Sequence, residues 1–296
     1  MTRRKDNGSA TRAANPGMAR YGVVGNPVAH SKSPEIHQLF ARQTQQAISY
    51  ERLEAPIDGF EEFALALRDT GYLGLNVTIP FKIDAAKLAD DLTPRARLAS
   101  AVNTLKFDGD TIVGDNTDGI GFVRDICGRL KFQVDGAAIL ILGAGGGVRG
   151  LIGSLLDARP KWIAVANRTF GRAQELADEF GVEAIRFDEV PAEHFDLVIN
   201  GTSSSLSQDA PPIDPETFDD CTLAYDLVYA RHATPFMELA RRGGARYVDD
   251  GLGMLIEQAA ESFYVWRGVR PDTGPIYKEL RRLLASERAD TAAAAR

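Results

Sequence analysis

Ala137-Ala138-Ile139-Leu140-Ile141-Leu142-Gly143-Ala144-Gly145-Gly146-Gly147-Val148-Arg149-Gly150 decides the fold of this chain. Six apolar residues without a polar break read as a strand covered on both faces, the pattern of a parallel sheet between helix layers. A glycine-rich turn follows at once, and then a helix to about Ala158. A strand, a glycine turn and a helix in that order make a dinucleotide-binding fingerprint. Glycine lets the backbone turn tightly and approach a pyrophosphate, and the helix N-terminus offers N–H groups and positive dipole to the phosphates.

The next strand, Trp162–Ala166, ends in Asn167-Arg168-Thr169, with Arg172 soon after. An NAD site usually carries a carboxylate here to accept from the ribose 2′-hydroxyl. Two arginines and no carboxylate favour the 2′-phosphate of NADP, which a guanidinium pairs well. Downstream the alternation continues: a helix at Gly171–Phe180, a short strand near Ala184–Phe187, then strands at Leu197–Asn200, Leu223–Leu227 and Ala245–Val248. Two final helices, Met254–Trp266 and Ile276–Leu284, are too few to form a domain and are expected to pack back on the N-terminal half.

Upstream, a second alternation carries no such fingerprint. Strands are predicted at Arg20–Gly25, Ile48–Leu53 and Leu73–Val77, and a hairpin of Val102–Phe107 with Thr111–Val113 around Asp108-Gly109-Asp110. Helices are predicted after Ser33, over Phe60–Leu67, from Pro80 to Leu88, from Thr93-Pro94, and over Ile120–Leu130. Alternating strands and helices mean an α/β fold with mostly parallel sheets. We expect two domains with a cleft between them. Residues 21–117, completed by helices in 251–286, form a substrate-binding and catalytic domain. Residues 118–250 form a Rossmann-type NADP-binding domain. A disordered basic arm (1–20) and a frayed tail (287–296) flank them.

Bulk composition removes other classes. The 296 residues are 44% hydrophobic and 25% charged, with net charge −7, a poor match for nucleic acid. No apolar run approaches the roughly 18 residues that span a bilayer, and no secretory signal is visible. Cys127 and Cys221 form no CxxC, which fits reduced thiols in the cytoplasm. His30, His37, His194 and His232 show no metal-ligand spacing, and no metal is expected. The arm carries Arg3, Arg4, Lys5, Arg12 and Arg20 against Asp6 alone, the one feature that invites a nucleic-acid reading.

Three segments of the N-terminal half offer chemistry. Asn76-Val77-Thr78-Ile79-Pro80-Phe81-Lys82 puts a lone lysine just past a strand's C-terminal end, where open α/β sheets bind ligands. Lys82 is thus either a solvated helix-start lysine or a proton-handling group. Ser31-Lys32-Ser33-Pro34 brings two hydroxyls to a helix N-terminus, where they suit a ligand carboxylate. Ser33 also fits an ordinary cap with Pro34 at the first helical position, but capping alone does not require Ser31. Asp118, in Asp115-Asn116-Thr117-Asp118-Gly119, is placed either to cap the linking helix or to hold a carboxylate near Lys82.

Together these segments resemble the shikimate dehydrogenase family. The resemblance rests on Gly25–Pro34, Asn76–Lys82, Ala101-Val102-Asn103-Thr104, Gly114–Gly119, Gly143–Gly147, Asn167–Thr169 with Arg172, and Asp250-Gly251-Leu252-Gly253-Met254-Leu255 with Gln258. These occur in the family's order over about residues 21–285. Gly201-Thr202-Ser203-Ser204-Ser205 departs from it, because the family often places a glycine soon after paired small polar residues there. The resemblance implies NADP-linked interconversion of 3-dehydroshikimate and shikimate, a step toward aromatic amino acids. It implies that Lys82 and Asp118 form the catalytic pair, and that Ser31, Ser33, Thr78, Asn103, Tyr229 and Gln258 join them in binding substrate. It also implies cofactor contacts from Gly143, Ala144, Gly145, Gly146, Gly147, Asn167, Arg168, Thr169, Arg172, Thr202 and Gly251. The expected partner is a small acid, with neither nucleic acid nor membrane, and the expected state a monomer or homodimer. Rival readings are a quinate dehydrogenase and a catalytically silent sensor. The basic Asn167-Arg168-Thr169 pattern argues against the first, and the presence of both Lys82 and Asp118 against the second.

Overall fold

The computed structural model describes residues 17–191, 194–202, 209–230 and 232–294, with side chains described as far as Ala285. Expectations for residues 1–16 and for Ser203, Ser204 and Ser205 lie outside the described residues. The described chain forms two six-stranded sheets.

The first sheet holds β1 (Ala19–Gly25), β2 (Ile48–Glu54), β3 (Tyr72–Val77), β4 (Asp91–Leu92), β5 (Thr104–Asp108) and β6 (Thr111–Asp115), in the order β2-β1-β3-β5-β6-β4. β1 runs parallel to β2 and β3, while β5 is antiparallel to both β3 and β6. The β5–β6 turn contains Gly109 at φ +61°, as the Asp-Gly-Asp signal requires. Helices α1 (Ser33–Thr44), α2 (Phe60–Asp69), α3 (Lys82–Leu88) and α4 (Pro94–Ala99) connect these strands.

A short helix, α5 (Asp118–Arg124), continues as a π-helical turn over Asp125–Arg129 and leads into the second sheet. That sheet holds β7 (Ala138–Leu142), β8 (Trp162–Ala166), β9 (Glu183–Ile185), β10 (Leu197–Asn200), β11 (Leu223–Asp226) and β12 (Tyr247–Asp250), in the order β12-β11-β10-β7-β8-β9. All its pairs are parallel. The connecting helices are α6 (Gly146–Asp157), α7 (Phe170–Phe180) and α8 (Pro235–Arg242). Alternate residues of β7 serve two cores: Ile139 and Ile141 face one, Leu140 and Leu142 the other. Burial on both faces explains its unbroken apolar run. Strand order reverses between β7 and β10, the crevice where open α/β sheets take their ligands.

The chain then returns to the first sheet. Leu252, Ile256 and Phe263 of α9 (Leu252–Arg267) and Ile276 and Leu280 of α10 (Thr273–Ala294) share a core with Tyr21, Val23, Ile36 and Phe40. α9 crosses α5 closely. A Cβ on Gly121 would lie 2.6 Å from the backbone nitrogen of Gln258, so glycine lets the two helices approach.

Several local expectations shift. Ala19 and Arg20 belong to β1, not to the arm. The helix expected from Pro80 starts at Lys82, because Thr78–Phe81 closes a turn in which Phe81 N–H reaches the Thr78 carbonyl at 3.0 Å. Ser33 is not the cap of α1: Lys32 holds that position and Ser33 is the first helical residue. α10 runs through Ala294 where fraying was expected. β4 and α8 were not expected from sequence. The α8 signal was present, since Thr234 caps the helix and Pro235 begins it.

Candidate active site

A rigid turn presents Asp118. Arg95 of α4 grips Asp115 with two nitrogens, at 2.7 Å and 2.5 Å, and Thr93 donates to the same carboxylate at 2.6 Å. Asp115 accepts from Asn116 N–H, and Asn116 Oδ1 accepts from Asp118 N–H at 3.1 Å. Asp118 therefore begins α5 with its side chain free of capping duty. Of the two sequence readings, the geometry selects the second: Lys82 Nζ donates to Asp118 Oδ2 at 2.5 Å. The lysine side chain is 21% exposed and the aspartate 8%, so the pair is largely withdrawn from water.

Asn103 and Gln258 complete this cluster. Asn103 Nδ2 donates to Asp118 Oδ1 at 2.8 Å, to Thr117 Oγ1 at 2.9 Å and to Gln258 Oε1 at 3.3 Å. Asn103 Oδ1 accepts from the Thr117 backbone N–H, which fixes the amide's orientation. Gln258 is held in turn by donating to the Leu255 carbonyl at 2.9 Å.

The serine pair forms a second group. Ser31 Oγ accepts from Ser33 N–H and donates to Ser33 Oγ at 3.2 Å, so Ser31 takes the cap-like role expected of Ser33. Tyr229, in the loop after β11, reaches across from the second unit and bonds the Lys32 backbone, and burial raises its phenol pKa. Thr78 stands apart, opening the turn that leads into Lys82. Its N–H donates to the Val24 carbonyl at 2.9 Å.

The glycine turn lies at the reversal point of the second sheet. Gly143 takes φ +101° against the Gly201 backbone, a conformation L-residues avoid. Gly145, Gly146 and Gly147 are exposed with open space before them, and the first turn of α6 carries no acid. Ala144 is half-buried beside them. Arg168, just past β8, and Arg172, in the first turn of α7, are exposed and make no ion pair among the described residues, while Asn167 Nδ2 bonds the Thr169 carbonyl at 2.8 Å. Thr202 donates to Asn200, and Gly251 is buried at the N-cap of α9. Free donors, positive dipole and two unpaired guanidiniums fit a phosphorylated dinucleotide. Among the described residues no cluster of three or more His, Cys, Asp or Glu side chains is placed to hold a metal ion.

Sequence reasoning missed Tyr50, Asn76, Thr117 and Ser262 as parts of the buried polar network, although Asn76 and Thr117 stood in quoted motifs. It also missed Arg95 and Glu261, which join α4 to α9.

Comparison with known proteins agrees along the chain. Three family models match: the shikimate dehydrogenase substrate binding domain over residues 23–105, the shikimate / quinate 5-dehydrogenase family over 127–209, and the shikimate 5′-dehydrogenase C-terminal domain over 251–281. The NADP⁺-dependent shikimate dehydrogenase of Methylobacillus flagellatus is 50% identical, covering 89% of this chain and 99% of its own length. That of a Janthinobacterium species is 52% identical, covering 88% and 96%. Among solved structures, an Ael1 enzyme from Pseudomonas putida superposes with a TM-score of 0.86 at 43% identity, over 88% of this chain and 98% of that one. The Thermus thermophilus shikimate 5-dehydrogenase, solved with NADP(H) and shikimate, gives 0.82 at 33%, over 90% and 99%. Relatives half identical over nearly their whole length, and family models matched over residues 23–105, 127–209 and 251–281, leave one conclusion: the chain belongs to the shikimate dehydrogenase family.

Proposed function

We propose that the chain catalyses the reversible NADPH-dependent reduction of 3-dehydroshikimate to shikimate, with Lys82 and Asp118 handling the proton. The contact that carries this reading is Lys82 Nζ on Asp118 Oδ2, in the cleft beside Asn103 and Gln258. When bound, NADPH would supply the hydride for reduction and NADP⁺ would accept it in the reverse direction. The exposed amides of Gly145–Gly147 suit its pyrophosphate, and Arg168 and Arg172 its 2′-phosphate.

Reduction of a ketone builds negative charge on the carbonyl oxygen, which needs a positive neighbour and a proton. Lys82 provides both: Nζ donates its proton to that oxygen, and recovers one from the hydroxyl in the reverse direction. Asp118 orients the ammonium and accepts from a neighbouring ring hydroxyl. Ser31 and Ser33, with Tyr229 closing over them, suit the substrate carboxylate. Asn103, Thr78 and Gln258 supply donors and acceptors for the ring hydroxyls. Arg168 and Arg172 favour NADP over NAD, and with it shikimate over quinate. Two free thiols, Cys127 and Cys221, fit a reducing, cytoplasmic setting. The working form is a monomer or a homodimer.

The deciding experiment is an initial-rate assay with shikimate and NADP⁺, following absorbance of the reduced cofactor, beside parallel assays with quinate and with NAD⁺. Turnover of shikimate with NADP⁺ at the highest kcat/KM supports the reading. Turnover of quinate alone, or of neither acid, overturns it.

A further inference from the structure

Behind the site, a run of buried hydrogen bonds joins Tyr50 to Asp118, and every donor in it points the same way. Tyr50 donates to Asn76 Oδ1 at 2.8 Å. Asn76 Nδ2 donates to Thr104 Oγ1 at 3.1 Å, and Thr104 donates to Asn103 Oδ1 at 2.8 Å. Asn103 Nδ2 ends the run on Asp118 Oδ1.

Backbone groups at both amides force this direction. Asn76 Nδ2 also faces the Asn103 carbonyl, an acceptor only, so its Oδ1 must face Tyr50. The single Tyr50 proton is therefore committed to Asn76. Asn103 Oδ1 faces the Thr117 N–H, a donor only, so its Nδ2 must face Asp118. Tyr50 itself is buried and held by the stacked ring of His37, 4.1 Å between centroids and 8° between planes.

We infer that Tyr50 is a positioning residue for the reaction: by its one committed proton it keeps Asn76, Thr104 and Asn103 aligned so that Asn103 donates to Asp118 Oδ1 and leaves Oδ2 to Lys82. Tyr50 makes no hydrogen bond to Lys82 or Asp118 and acts through the run. The inference rests on the assignment of Lys82 and Asp118 proposed above.

Two variants break the run at different links without changing side-chain volume much. Tyr50→Phe keeps the His37 stack and removes the proton. Thr104→Val removes the donor two links on, and Thr104→Ser restores it. The expected result is a loss of about tenfold in kcat/KM for shikimate in both Tyr50→Phe and Thr104→Val. NADP⁺ affinity, read by fluorescence titration, is unchanged and Thr104→Ser is close to the parent. In an Asn103→Ala background, Tyr50→Phe should cost less than threefold, because the run then has no amide to align. If Tyr50→Phe and Thr104→Val only lower thermal stability and leave kcat/KM within twofold, the inference is overturned. Full additivity with Asn103→Ala also overturns it. Failure of the underlying assignment is separate, since it shows as near-normal turnover in Lys82→Ala.

Discussion

Lys82 Nζ donates to Oδ2 of Asp118 at 2.5 Å, while Oδ1 of the same carboxylate is taken by the Asn103 amide at 2.8 Å. Both oxygens face donors. In Asp118→Asn the new NH₂ must therefore oppose either the Lys82 ammonium or the Asn103 amide, whichever way it turns. One buried donor is left against another, which costs more than losing a neutral contact. The expected result is a fall in kcat for shikimate oxidation of about a hundredfold or more, with NADP⁺ affinity retained. Initial rates and fluorescence titration check it, and a variant within fivefold of the parent would contradict the role given to Asp118.

Lys82→Ala removes the proton donor itself and leaves the carboxylate in place. Proton transfer by a positioned side chain typically contributes about 10²- to 10⁴-fold, and Lys82 also offsets charge on the reacting oxygen. The expected result is a turnover reduced by about a thousandfold or more, with KM for shikimate changed little, since several hydroxyl and amide groups share the binding. A near-normal kcat in this variant sinks the assignment.

Arg168, just past β8, and Arg172, in the first turn of α7, stand exposed with no ion pair among the described residues, so their guanidiniums are open to an anion. Replacing both by alanine removes the charge that tells a 2′-phosphate from a 2′-hydroxyl. The ratio of kcat/KM with NADP⁺ to that with NAD⁺ should fall by about tenfold or more. The loss should come from NADP⁺ alone, and an unchanged ratio would refute the 2′-phosphate assignment.

What was legible in the sequence was what local chemistry fixes. Ala137–Leu142 announced a strand because both its faces are buried, and the glycines after it announced their turn because Gly143 needs a positive φ. Lys82, Asp118 and Asn103 were legible as candidates through their motifs. Their mutual geometry was not, because Asn103 meets Gln258 across 155 residues of chain. Tyr50 was invisible for the same reason. It reads as one more aromatic in a strand until β2 is set beside β1 and α1 brings His37 over its ring. Ser33 misled in the opposite way: serine before proline is a fair helix-cap signal, but Ser31 took the capping contact. The arginine–glutamate ties had no local signal at all, since Arg95 and Glu261 are separated by 166 residues.

Those ties predict an acid-sensitive step in stability. Glu261, buried on α9, accepts from Arg95 of α4 at 3.0 Å, from Arg124 of α5, and from Arg270 at 2.5 Å. Burial alone would raise its pKa, but the three guanidiniums outweigh burial and hold it at about 2, against an ordinary 4.5. A carboxyl with a depressed folded-state pKa stabilises the fold above its unfolded value and loses that contribution as pH falls toward the folded one. The parent protein should thus lose a few kcal/mol of unfolding free energy between about pH 4.5 and about pH 2 through this residue. Glu261→Gln should be less stable near neutral pH, because it leaves three arginines short of a counter-charge. It should also show a flatter dependence through that acid window. Urea unfolding at a series of pH values measures both. Equal slopes in the parent and Glu261→Gln would mean that the carboxylate is not ionised against its three arginines in the folded protein.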